Sequence, residues 1–403
     1  MEGTGSEPVQ GQPPAPPTPP SPPTTAAGPT GPTEPSRRSI LTGAAVAAAV
    51  VGAGAGAGAA ALLRPDAEKG TPYLAAGSTA GGDKGPWHYV EPGGSIQDSI
   101  DAGAKAIQLG AGTYEVSAPI VPTAGCTIRG IGRDTRLLAT AAIPAVLAIG
   151  NGGPIDAVTI SDLTVDAQGK AQVGIDLDIV GTTGNYRDEP DSVCRLDALW
   201  VYQPVLDGIA YRGKDTQACV TSRVRVRGAG RHGYRVEAPD NVWIACEATT
   251  SGTSGAGFYV GTAVQGSDGI GAANCHFHAC KAWYCRGVGW QVKSTRNAFM
   301  GCESQDTAGH GWSIEIGRNA FTGCIADTAG MYDVGGRPGT ADGFFVVPGA
   351  ETTLVGCLAF DRTPGGHAAQ QRYGFNVPRS LVQAGLVVAH TGWGNTAGLI
   401  NQR

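Results

Sequence analysis

Phe299-Met300-Gly301-Cys302-Glu303-Ser304-Gln305-Asp306-Thr307-Ala308-Gly309-His310-Gly311-Trp312-Ser313-Ile314 decides the fold, because both of its ends recur along the chain. Its first four residues return as Phe321-Thr322-Gly323-Cys324 and are preceded by Phe277-His278-Ala279-Cys280. Trp243-Ile244-Ala245-Cys246 and Leu354-Val355-Gly356-Cys357 extend the series. The five cysteines are separated by 34, 22, 22 and 33 residues. A short unit with occasional insertions marks a solenoid, whose strands keep their length while its turns vary.

The last four residues of the stretch belong to a second series. It includes Gly174-Ile175-Asp176-Leu177, Gly208-Ile209-Ala210-Tyr211, Gly233-Tyr234-Arg235-Val236 and Gly257-Phe258-Tyr259-Val260. It continues through Gly289-Trp290-Gln291-Val292, Gly343-Phe344-Phe345-Val346 and Gly374-Phe375-Asn376-Val377. Each reads glycine, apolar, variable, apolar, which is a short strand with one buried face. The leading glycine suggests a position with unusual backbone angles. Each coil should then supply a Gly-led strand, a strand at Phe or Leu, and a strand just after Cys. The expected fold is all-β, a single right-handed parallel β-helix closed at its start by a short capping helix.

Composition sets the surroundings of this domain. The 403 residues include 63 Gly and 27 Pro, and 41 % are hydrophobic, enough for one substantial core. A net charge of −5 offers no basic field, so no nucleic-acid partner is expected. Residues 1–35 hold PPAPPTPPSPP and almost no large apolar side chain, and should be disordered. Residues 36–64 place Arg37-Arg38 before an uncharged Ala/Gly/Val run, which resembles a twin-arginine export signal. Ile40 to Leu63 is also long enough to span a bilayer, but its Gly and Ala make a poor anchor. Residues 65–86 read as a flexible linker and 87–403 as the β-helix. The expected partners are the twin-arginine translocase and a polysaccharide, and the expected location is extracellular or cell-surface.

Ten cysteines in an exported chain would ordinarily suggest disulfides. Five of them share one repeat position, so they should stack with parallel Cβ vectors about 4.8 Å apart, whereas a bridge needs roughly 3.8 Å. Buried thiols are the favoured reading, with one bridge among Cys275, Cys280 and Cys285 left open. Five ligands in a line do not make a metal tetrahedron.

Ser95 to Ala102 forms a short amphipathic segment with an N-cap at Gly94 or Ser95. It leads into Leu109-Gly110-Ala111-Gly112-Thr113-Tyr114 and Thr127-Ile128-Arg129-Gly130-Ile131-Gly132. This entry resembles that of the pectate-lyase-like superfamily, the pectin-lyase fold, and the likeness runs from Trp87 to Arg403. The resemblance implies a β-helix that acts on polysaccharides, although the fold hosts many activities.

Two columns of outward residues carry candidate chemistry. Asp178, Arg212, Glu237, Lys293 and Glu315 close the Gly-led strand and read as a surface ion-pair ladder or a binding groove. The residue before the glycine runs Val173, Asp207, His232, Ala256, Val288, His310, Asp342 and Tyr373. Stacking should put each Asp/His pair in hydrogen-bond range, the carboxylate orienting the imidazole and supporting its charged form. For Asp207/His232 a structural turn ladder is preferred. His310, Asp342 and Tyr373 adjoin two longer coils, Ala329 to Ala341 and Thr363 to Arg372, whose loops should shape a cleft. Tyr332, Asp333, Arg337, His367 and Arg372 are its expected lining.

Gly309-His310-Gly311-Trp312-Ser313 resembles the G-H-G-x-S segment of polygalacturonase-type hydrolases, which would make His310 an active-site histidine. Gly255-Ala256-Gly257 and Gly287-Val288-Gly289 stand where that family carries its acidic pairs. Pectate lyases that use calcium need clustered acids; Asp176 and Asp178 do not form such a cluster, and no cofactor is expected. The D-P-H-D of mannuronan epimerases is missing from Tyr373-Gly374-Phe375-Asn376-Val377-Pro378.

The leading expectation is therefore an exported polysaccharide-active enzyme, a lyase more than a hydrolase, acting on an acidic polysaccharide. His310 or Tyr373 would take the proton, and Lys293 or Arg372 would stabilise the developing charge. The alternative is a carbohydrate-binding or tailspike-like adhesin without catalysis, stacking sugars on Tyr259, Phe345 or Trp393. A purely structural solenoid is the third.

Overall fold

The computed structural model of the chain describes residues 86–181, 194–261, 271–363, 368–388 and 390–403. The proline-rich leader, the twin-arginine segment, the linker up to residue 85 and His367 lie outside the described residues.

The described chain is a right-handed parallel β-helix, from β1 (His88–Val90) to β30 (Gly398–Gln402). Every strand pairing between named strands is parallel, and each coil lays its strands on those of the coil before. Three stacks result. One carries the Gly-led strands, one the strands at Phe or Leu, and one the strands after Cys. The registers follow the repeats: Trp290 pairs with Trp312, Phe299 with Phe321 and Lys281 with Glu303.

Stacking turns the apolar repeat positions into continuous ladders. Phe258, Trp290, Trp312, Phe344 and Phe375 lie ring on ring, with centroids 4.0, 4.7, 5.7 and 4.9 Å apart. A second ladder runs Trp243, Phe277, Phe299, Phe321 at 4.6, 4.9 and 4.6 Å. The two meet edge to face inside the coil, Phe299 against Trp312 at 83°. That arrangement suits the aromatic quadrupole in both directions. Buried Asn241, Asn297 and Asn319 form a polar ladder at one corner, accepting the backbone N–H of Cys219, Cys275 and Asn297.

All ten cysteines are free and buried. The thiols of Cys246, Cys302 and Cys324 donate to carbonyls of the preceding coil at 3.3–3.4 Å. Burial pushes Cys275 and Cys285 up to about 12.

The opening helix α1 (Ile96–Asp101) starts at Ser95, whose hydroxyl accepts the Asp98 N–H at 3.0 Å. Ile96 and Ile100 are buried, so the helix lays its apolar face over the first coil.

One expectation about glycine is corrected. The strand-opening glycines are not in the left-handed region; space demands them. A Cβ on Gly257 would sit 2.6 Å from the Ala282 Cβ and 2.9 Å from the Gly289 carbonyl. Positive φ falls instead just before each cysteine, at Ala245, Ala279, Gly301, Gly323 and Gly356, with φ of 51–62°. These residues make the sharp bend between the second and third strands of each coil.

Candidate functional site

The structure brings His310, Asp342 and Tyr373 onto successive rungs beside the Gly-led stack, but the expected carboxylate–imidazole hydrogen bond is not the one formed. His310 Nδ1 accepts the backbone N–H of Asp342 at 2.9 Å, while the Asp342 carboxylate stands 3.7 Å from it. A backbone amide only donates, so Nδ1 is unprotonated and Nε2 carries the hydrogen of the neutral ring. Burial lowers the His310 pKa, outweighing the opposing pull of Asp342. The ring stacks on Phe345 at 4.5 Å. The imidazole is therefore held neutral, which corrects the expectation of a charged form.

Asp342 is fully buried and its oxygens are taken. Arg372 Nε and Nη2 donate to them at 2.7 and 2.6 Å, and Asn376 Nδ2 donates at 2.8 Å. The Tyr373 N–H adds a contact at 3.3 Å. The same device appears earlier in the chain. Arg231 Nε donates to fully buried Asp207 at 2.9 Å, the His232 N–H donates to it at 3.2 Å, and His232 Nδ1 accepts the Ala256 N–H at 3.1 Å. His232 stacks on Tyr259 as His310 does on Phe345. Burial holds the His232 pKa at about 4. Two copies of one arrangement describe a way of locking coils together.

The cations expected to stabilise charge are also committed. Lys293 pairs with Glu315 at 3.3 Å, and Gln291 donates to the same carboxylate at 2.9 Å. Arg212 bridges Asp176 and Asp178, and Arg235 holds Glu237 at 2.9 Å. Tyr259 folds along its own strand over Gly261.

A cleft of about 410 Å³ opens where the 330–341 loop leans back over the preceding coils. The loop leaves the third stack after Ala329 and is pinned by Met331 N–H to Thr307 O at 2.8 Å and Gly339 N–H to Gln370 O at 2.6 Å. A short 3₁₀ turn at Tyr332–Val334 then reverses at Gly335, with φ of 90°. The floor is bare backbone at Gly255, Gly287 and Gly309. Close stacking enforces this: a Cβ on Gly255 would meet the Arg231 carbonyl at 1.7 Å, and one on Gly287 the Gly255 carbonyl at 2.0 Å.

Two arginines face this floor, Arg286 from the coil and Arg337 from the loop. Both are exposed, and neither has a carboxylate partner among the described residues. Of the described residues expected to line the cleft, Arg337 does so and Asp333 does not; Tyr332 is 66 % exposed on the loop, and Arg372 is turned to Asp342. Sequence reasoning missed Arg286. It directly follows Cys285 at a corner, outside both repeat tracks. Among the described residues no group of His, Cys, Asp and Glu is placed to hold a metal ion.

No protein-family model matches the chain, and no curated protein matches it. Solved structures do. The A-module of mannuronan C-5 epimerase from Azotobacter vinelandii superposes with a TM-score of 0.53 at 14 % identity, over 76 % of this chain and 92 % of that one. Full-length tailspike protein 2 of an Escherichia coli bacteriophage gives 0.51 at 16 % identity, over 66 % of this chain and 35 % of that one. The chain thus spans about a third of the tailspike's length. At these identities the likeness is one of fold.

Proposed function

We propose that the protein is an exported polysaccharide-binding β-helix that takes an acidic polysaccharide in the cleft under the 330–341 loop. One observation carries this: Arg286 and Arg337 are exposed, without a carboxylate partner among the described residues, beside a glycine floor at Gly255, Gly287 and Gly309. A planar guanidinium matches a carboxylate or sulfate through paired N–H donors, and glycines in the floor admit a sugar ring close to the backbone. One fold neighbour is named a mannuronan epimerase, which supports a glycan ligand. Export through the twin-arginine translocase rests on Arg37-Arg38 and the apolar run behind them.

Of the two modes, capture and cleavage, the geometry favours capture. A general base needs a free lone pair, and the single one on neutral His310 is occupied by the Asp342 amide. The buried Asp342 carboxylate is saturated by Arg372 and Asn376. Affinity electrophoresis through gels containing polygalacturonate, alginate or a neutral glucan, combined with assays for unsaturated and reducing ends, separates the modes. Retardation by an acidic polymer without new ends is expected. Unsaturated ends that disappear in His310→Ala would establish the lyase instead.

A further inference from the structure

A second surface lies round the corner from the cleft, on the outward side of the strands that follow each cysteine. Register aligns one outward position across eight successive rungs. Tyr202 pairs with Arg227, Trp283 with Gln305, Gln305 with Asp327, and Asp327 with Phe360. Thr249 stands between Arg227 and Trp283, its hydroxyl accepting the Gly228 N–H at 2.9 Å. Trp393 follows Phe360, ring on ring at 4.5 Å, and is 56 % exposed. Aromatic rings therefore recur at every third rung, about 14 Å apart, with two hydrogen-bonding side chains between each pair.

Beside this column runs a trough of about 500 Å³. Its floor is the left-handed bend, where Ala198, Ala245, Ala279 and Gly301 leave little side chain. Its wall carries Trp200, Arg225, Glu247, Lys281 and Glu303. These charges are paired in place: Arg225 and the neighbouring Arg227 share Glu247 at 3.4 and 2.6 Å, and Lys281 holds Glu303 at 3.1 Å, while farther along the column Arg362 Nε holds Asp327 at 2.7 Å. A face of paired charges has polar edges but no net pull on a charged polymer.

We propose that this face is a second binding surface, for a neutral glycan chain lying along the solenoid axis. Amphipathic aromatic rings offer flat apolar faces to the C–H side of a pyranose ring. The rung spacing of about 4.8 Å is close to the length of one pyranose unit in an extended chain. One sugar per rung puts every third unit on Tyr202, on the Arg227–Trp283 stack, where the guanidinium lies 4.6 Å over the indole ring, or on Trp393, which covers Phe360. The Thr249 hydroxyl faces the unit between the first two aromatics, and Gln305, held by Lys281 and by Asp306, borders the unit after Trp283. Half-burial and these hydrogen bonds keep the side chains in place before the ligand arrives.

The test titrates cellohexaose, laminarihexaose and maltohexaose into the purified β-helix, followed by tryptophan fluorescence and calorimetry. At least one binds, and Trp393→Ala weakens it by about tenfold or more, while the Arg286→Ala/Arg337→Ala pair leaves it unchanged. Because Trp393 is mostly exposed, its replacement leaves the melting temperature near that of the parent. Gln305→Ala, on the middle of the track, weakens the same probe. The proposal is overturned if none of the three binds, if Trp393→Ala and Gln305→Ala bind as tightly as the parent, or if binding follows the arginines. Retention of acidic-polymer binding by Trp393→Ala keeps the two surfaces distinguishable.

Discussion

His310 Nδ1 receives the backbone N–H of Asp342 at 2.9 Å while the Asp342 side chain turns to Arg372. The imidazole and the carboxylate thus each fasten one coil to the next without bonding to each other. From this follows an order of cost. Asp342→Asn removes one partner of a buried ion pair and should destabilise the fold by about 3 kcal/mol. His310→Ala loses one backbone-to-ring hydrogen bond, about 1 kcal/mol, and leaves acidic-polymer binding intact. Urea unfolding of both variants checks the ranking.

His232 should remain neutral down to about pH 4, with its hydrogen on Nε2. The folded pKa lies below the unfolded one, so its contribution is present above about pH 6.5 and fades as pH falls toward 4. Nitrogen-15 shifts of the imidazole across that range report both tautomer and titration. A His232 that titrates near 6.5 contradicts the arrangement.

Asp327 carries the opposite sign. Burial raises its pKa to about 6 despite Arg362. The folded state then binds more protons than the unfolded one between about pH 4 and 6, so its contribution is lost as pH rises through that window. Asp327→Asn abolishes this term. The stability of the parent relative to the variant should fall from pH 4 to 6, measured by thermal melts at each pH.

The buried thiols should be inert in the folded protein. Those of Cys275 and Cys285, near 12, are almost wholly protonated at neutral pH. Ellman's reagent should leave the native protein unlabelled and react with all ten cysteines of the chain after denaturation. Rapid labelling of several native thiols would mean that the coils are not closed.

The aromatic ladders hold the coils in register. Phe299 is packed between Phe277 and Phe321 and against two tryptophans. Phe299→Ala should cost about 3–5 kcal/mol, whereas Met300→Ala, on the outward side of the same strand, should cost under about 0.5 kcal/mol.

The fold was legible because the repeat leaves its mark wherever a side chain meets its own equivalent one coil away. Cys246, Cys280, Cys302, Cys324 and Cys357 report that directly, as do the residues after each opening glycine. The lock at Asp342 was legible too, and was overlooked. Asp207-Gly208 with Arg231-His232-Gly233 recurs as Asp342-Gly343 with Arg372-Tyr373-Gly374, and the arginine names the partner of the carboxylate.

What the repeat does not encode is where an inserted loop lands. Arg337 lines the same cleft as Arg286 because the 330–341 loop folds back over earlier coils, and no periodicity relates those two positions. The outward face after each cysteine was hidden for a different reason. Its residues vary in type from rung to rung, and only the register shows that Tyr202, Trp283 and Phe360 fall on one line.

The decisive measurement is calorimetric titration of oligogalacturonate and oligomannuronate into the parent and the Arg286→Ala/Arg337→Ala variant, at low and high salt. An acidic oligosaccharide should bind the parent, lose affinity as salt is raised, and bind the double variant about tenfold or more weakly. Equal affinity of parent and variant, or no binding of either probe, would contradict a cleft built for anionic sugars.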